Sequence, residues 1–201
     1  WQNAREWKIA GRIAQMIGMG PILHSFSPDE RRAFVLAQFA HDNAMTMIET
    51  LAFEASLRGG MPVNEFHCSV AYLRGLDNVD SLRSELSRYC ATLGAFNVRT
   101  DKLTSVNAGS LWLTLEKDEA LRALHSDLAA IARRCGLSIR GLTLGDWIPH
   151  ILLARFPSQV STGLPLAERI NLTLRVARLD LTRQIGATEF ETLQQFSLDG
   201  I

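Results

Sequence analysis

The sequence lacks charge of either sign in excess. Its 21 lysines and arginines balance 21 aspartates and glutamates. A broad basic footprint for duplex nucleic acid is therefore excluded, while a local pocket for a small anion is not. Long apolar runs are also missing. No stretch reaches the roughly 18–20 residues of a membrane span. Arg5 and Lys8 open the chain without the apolar core and cleavage site of a secretory leader, so the expectation is a cytoplasmic protein. Cysteine is scarce. Cys68, Cys90 and Cys135 are an odd number with no paired spacing, which argues against a disulfide framework and a zinc site. No phosphate-binding P-loop, no dinucleotide-binding glycine fingerprint and no metal-ligand spacing occurs, so neither a metal nor a cofactor is expected.

What is present is the composition of a folded globular domain, 47% hydrophobic and 21% charged. Residues 1–18 carry Ile9, Ile13 and Ile17 at helical spacing, with Gly18, Gly20 and Pro21 as the stop. Residues 1–30 are read as a helical extension and 31–198 as the main domain.

The main domain divides into two similar halves. In the first, Ala33–Ala37 has strand length. Asp42 is placed to cap a helix over 43–57, Gly59-Gly60 and Pro62 break it, and a strand over 66–73 follows. In the second, 110–115 predicts a strand, 118–135 a helix closed by Gly136, and 149–156 a strand. A helix over 79–92 and a strand over 95–100 lie between the halves. The alternating stretch 171–180 and the segment 189–198 predict two closing strands with a turn at Gly186.

Each half thus ends in a strand with a histidine near its start, His67 and His150. Residues i and i+2 of a strand share a face, so Ser69 accompanies His67 and Leu152 accompanies His150, while Cys68 points to the opposite layer as a buried thiol. Two imidazoles flanking one phosphate suit acid–base chemistry, because an unperturbed histidine titrates near pH 6.5. The plainer reading has each histidine packed at a sheet surface. For His24, His41 and His125 a structural or solvent-exposed role is expected. Arg155 is a candidate for neutralising phosphate charge, although strict alternation turns it away from His150. Tyr72 and Trp147 are candidates for stacking on a base.

His67-Cys68-Ser69-Val70 and His150-Ile151-Leu152-Leu153 resemble the paired His-x-Thr/Ser-hydrophobic motifs of the 2H phosphoesterase superfamily, especially its 2′-5′ RNA ligase-like, RNA 2′,3′-cyclic phosphodiesterase branch. The likeness covers about residues 31–198. Arg32–Ala37 stands at its opening strand, and 171–198 stands at its closing hairpin. The resemblance implies an α+β, bilobal fold with pseudo-twofold antiparallel sheets lining a central cleft and helices outside. It implies a metal-independent phosphodiesterase acting on a 2′,3′-cyclic phosphate or a 2′–5′ linkage of RNA or a small nucleotide. His67 and His150 would be catalytic, and Ser69 and Arg155 phosphate-binding. Leu152 departs from the family, standing where a Thr or Ser is usual and removing one hydroxyl. The partner would be a nucleotide or RNA end, with no membrane and no long duplex. Alternatives are hydrolysis of a cyclic or oligomeric nucleotide signal, or a nucleotide- or RNA-end-binding module that has lost turnover.

Overall fold

The computed structural model describes residues 32–63, 65–75, 79–106, 109–139, 147–157, 168–185 and 190–198, all within the body spanning Arg31–Ile201. The expected N-terminal helix and the turn at Gly186 lie outside the described residues. Nine strands and three helices follow in the order β1 (Arg32–Phe39), α1 (Asn43–Leu57), β2 (Met61–Pro62), β3 (His67–Arg74), α2 (Val79–Cys90), β4 (Phe96–Val106), β5 (Ser110–Leu115), α3 (Glu119–Arg134), β6 (Ser138–Ile139), β7 (His150–Arg155), β8 (Thr173–Gln184) and β9 (Phe190–Ser197). Among the described residues no helix is long and apolar enough to cross a membrane.

Local chemistry sets the helix limits. The Asp42 carboxylate accepts from the Ala44 and Met45 amides, satisfying two donors that a helix start leaves unpaired. Asp118 does the same for the Leu121 amide at the start of α3. Beyond α3, Gly136 takes a φ of 75°, which costs a residue without a Cβ little. The helices bury one stripe each: Met45, Ile48, Ala52 and Ala55 from α1, Leu82, Leu86 and Cys90 from α2, and Leu121, Leu124, Leu128 and Ile131 from α3.

All strand pairings are antiparallel, and the two halves exchange parts. β1 pairs with β3 and β5 with β7, each within its own half. The two-residue strands cross over. β2 of the first half pairs with β7, and β6 of the second pairs with β3. The helices cross as well, α1 packing on β7 and α3 on β3. Each histidine strand is therefore covered by the helix of the other half. The halves meet twice more. β8 is long enough to serve both, pairing with β4 at its start and with β1 beyond Val176. β3 and β7 bridge directly through Cys68 and Ile151. β9 extends β8 on its outer side.

The pseudo-twofold symmetry reaches the strand irregularities. On β3 the ladder to β1 steps from Ser69 to Ala71, leaving Val70 as an extra residue. On β7 the ladder to β5 steps from Leu152 to Ala154, leaving Leu153. Both bulges fall three residues after the histidine. A bulge frees carbonyls from the ladder, and buried carbonyls need donors. At the first bulge they are found. The Trp147 indole donates to the Ser69 carbonyl at 3.2 Å, and His125 Nδ1 bonds the Val70 carbonyl at 2.7 Å.

The turn from α1 into β2 needs glycine for space. A Cβ at Gly60 would stand 2.9 Å from both the Ala55 carbonyl oxygen and the Phe156 ring. Gly60→Ala is expected to destabilise the fold by about 1–3 kcal/mol through overpacking. Urea unfolding checks this, and an unchanged midpoint would show that the turn relaxes freely.

Candidate active site

The single bridge between β3 and β7 fixes the site. With Cys68 opposite Ile151 in an antiparallel pair, His67 lies beside Leu152 and Ser69 beside His150. These four side chains share one face, and all four are half-buried. The two histidines are diagonal neighbours, a relation that spans about 7–8 Å. Their rings feel one another, since a charge on His150 disfavours a charge on His67. Beneath them Cys68 and Ile151 are fully buried. Burial pushes the Cys68 thiol up to about 12, so it is inert rather than nucleophilic.

His150 Nδ1 donates to the Ile148 carbonyl at 2.8 Å, leaving Nε2 as the free acceptor of the neutral ring. For His67 the corresponding Glu65 backbone favours the charged ring but falls short of a full hydrogen bond, so Nδ1 is buried without a partner.

The surroundings differ between the halves. Next to His67 across β1 is Gln38, and next to Gln38 across β8 is Arg178. The buried Asp180 carboxylate accepts from Gln38 at 3.0 Å and from Arg178 at 2.7 and 3.0 Å. Next to His150 on β5 is Thr114, whose hydroxyl is committed to the Lys102 backbone. The Trp112 indole stacks on the His150 ring, with centroids 3.6 Å apart and planes at 15°. Trp112 also stands opposite Leu152. The leucine that replaces the expected hydroxyl thus adjoins the indole that covers His150.

The bulges decide where the remaining candidates lie. Ser69 and Tyr72 pair with Leu36 and Phe34, which share a face of β1, so the extra Val70 returns Tyr72 to the histidine face. Leu152 and Arg155 pair with Trp112 and Ser110, so Leu153 does the same for Arg155. Arg155 is exposed there. The alternation expected to turn it away is broken by one residue. Tyr72 meets Phe34 edge-on, with centroids 5.3 Å apart, and Phe34 meets Phe190 in the same way at 5.5 Å.

Trp147 requires correction. It is 6% exposed and stacked on His125 at 4.3 Å, a core residue holding the first bulge rather than a base-stacking platform. His125 is structural as expected, buried at 3% exposure. His41 is exposed beside Glu49 at 3.7 Å. His24 lies outside the described residues. No group of His, Cys, Asp or Glu able to hold a metal ion occurs among the described residues. Gln38, Arg178, Asp180, Trp112 and Phe34 were missed by the sequence reading. The spacing of Trp112 within β5 was the one local hint, since it alternates with the core residues Leu111 and Leu113.

A model of the 2′-5′ RNA ligase superfamily matches residues 31–188. The chain belongs to that superfamily. It is a phosphodiesterase of the 2H phosphoesterase type by that membership. No curated protein matches it closely enough to count as a relative. Among solved structures the superfamily fold recurs in TT0787 of Thermus thermophilus, at 19% identity and a TM-score of 0.65 over 84% of this chain and 98% of that one. It recurs in E. coli LigT complexed with 3′-AMP, at 19% identity and a TM-score of 0.60 over 85% and 99%. The PDE domain of MHV ns2 follows at 16% identity and a TM-score of 0.56 over 77% and 99%. The shared architecture is the α+β, antiparallel one that the family resemblance implied.

Burial of the rings holds His67 and His150 below the ordinary histidine value of 6.5, with Glu65 and Asp180 opposing this at His67 and the Ile148 carbonyl opposing it at His150. A ring kept neutral in the fold takes its proton more readily when unfolded. The stability so contributed is complete above about pH 6.5 and is lost as pH falls through the lowered folded values. If the two rings act as an acid–base pair, one must be charged and one neutral, and kcat/KM is expected to follow a bell centred on the acid side of pH 6.5. A pH–rate profile of the free enzyme checks it, and a bell centred above pH 7 would contradict it.

Proposed function

We propose that the protein is a metal-independent phosphodiesterase acting on a 2′,3′-cyclic phosphate or 2′–5′ linkage of RNA or a small nucleotide, with His67 and His150 as the acid–base pair. The observation that carries this reading is the Cys68–Ile151 bridge, which puts His67, His150 and Ser69 on one face of two adjacent strands.

In hydrolysis of a cyclic phosphate, His150 Nε2 takes a proton from water as its oxygen bonds phosphorus. His67 gives a proton to the ring oxygen as the phosphorus–oxygen bond breaks. The hydrogen bond to Ile148 orients His150 as an acceptor, and the carboxylates of Glu65 and Asp180 favour the charged, donating form of His67. Ser69 donates to a phosphate oxygen, and Arg155 neutralises the anion. Tyr72, backed by Phe34 and Phe190, offers an aromatic face to a base. That a LigT structure holds 3′-AMP supports a nucleotide in this fold. Leu152 leaves Ser69 as the sole motif hydroxyl. The hydrogen bond forgone is worth about 1.5–3 kcal/mol, or one to two decades in rate, which lowers turnover without removing the acid–base pair.

His67→Ala and His150→Ala are each expected to lower kcat on 2′,3′-cyclic AMP by about 10²–10⁴-fold, with circular dichroism unchanged and the wild-type rate unaffected by EDTA. A folded variant turning over at near the wild-type rate would remove that histidine from the mechanism. Loss of activity in EDTA, restored by a divalent ion, would replace the mechanism itself.

A further inference from the structure

The histidine face continues past His150 into a pocket over β4 and β5, with a volume of about 290 Å³. Trp112, Ile148 and Pro149 form its apolar wall, and Thr104, which pairs with Trp112, lines it too. Lys102 and Lys117 stand at it. Its one carboxylate, Asp101, faces Arg169 at 3.7 Å. Ligand pockets run upward from about 300 Å³, so this one suits a single nucleoside rather than a strand. An aromatic wall beside lysines is the chemistry that takes a base and the phosphate attached to its sugar. The pocket adjoins only one of the two histidines. Trp112, which lines it, is the indole stacked on His150.

We propose that this pocket is a subsite for the nucleoside joined to the scissile phosphate through its 5′-oxygen, with Lys102 meeting the phosphate on that nucleoside's own sugar. The inference rests on the two-histidine reading and selects within it the 2′–5′ linkage over an isolated cyclic phosphate. The chemistry runs in two balanced steps. In the first, the free 3′-hydroxyl attacks phosphorus and gives its proton to His67. The bond from phosphorus to the 5′-oxygen breaks, and that oxygen takes a proton from His150. A 2′,3′-cyclic phosphate remains, and the pocket's nucleoside departs. In the second, water enters where the 5′-oxygen stood, gives its proton to His150, and the ring opens with a proton from His67. His150 serves whatever occupies the pocket side in both steps, which is why the pocket lies beside it.

The test compares 2′,3′-cyclic AMP with a 2′–5′-linked diadenosine carrying a terminal 3′-phosphate. Two variants outside the acid–base pair are used, Lys102→Glu, which reverses an exposed charge, and Thr104→Trp, which fills the pocket. Both are expected to lower kcat/KM for the dinucleotide about tenfold, chiefly through KM, and to leave the cyclic mononucleotide unchanged. Equal loss on both substrates, or loss on neither, would overturn the subsite. Should neither substrate turn over in the wild type, the two-histidine reading fails by itself, and the pocket is judged by binding. Calorimetric titration of adenosine 3′-monophosphate is then expected to show about tenfold weaker affinity in both variants. Affinity unchanged in both overturns the subsite as well.

Discussion

The structure depends on one contact between β3 and β7, the pairing of Cys68 with Ile151. Both side chains are fully buried. Everything at the site is placed by counting from it. One residue before each is a histidine, one residue after each is Ser69 or Leu152, and two residues after each is a bulged position. The exchange of β2, β6, α1 and α3 between the halves holds this register. A slip of either strand by one residue would send its histidine into the core and its half of the Cys68–Ile151 pair to the surface.

Symmetry places the histidines, and asymmetry gives them different surroundings. The first half surrounds its ring with polar groups: Gln38, the buried Asp180 and Arg178 in one hydrogen-bonded chain. The second half covers its ring with an indole and sets a leucine beside it. A carboxylate near one imidazole favours its charged form, and an apolar cover on the other favours the neutral form. Leu152 belongs to the same divergence. It removes a donor from the phosphate and gives Trp112 an apolar neighbour.

Much of this was legible in the sequence because it depends on local chemistry. Asp42 marks a helix start, and the helix begins at the following residue. The strand over 110–115 and the helix over 43–57 fall where pattern places them. The histidines were found because each opens a strand in a matched setting. Other features depend on partners distant in sequence. β2 and β6 are two residues each, too short for any periodicity, and exist because a histidine strand of the other half accepts them. β4 and β8 run longer than their alternation suggested, since each pairs on two sides. The bulges at Val70 and Leu153 carry no signal of their own. Without them Arg155 is turned away from the site and Trp147 is free to stack on a base. With them Arg155 joins the histidine face, and Trp147 supplies the donor that the Ser69 carbonyl requires.

In the proposed mechanism the two imidazoles act on one phosphate set over the Cys68–Ile151 pair. A crystal structure of the protein with adenosine 2′-monophosphate, the product expected from a 2′,3′-cyclic phosphate, tests this most directly. The phosphorus is expected between Nε2 of His67 and Nε2 of His150, within hydrogen-bond reach of both through its oxygens, with the Ser69 hydroxyl on a third oxygen and Arg155 facing the anion. A phosphate touching only one imidazole, or bound away from this face with both rings unchanged, would contradict it.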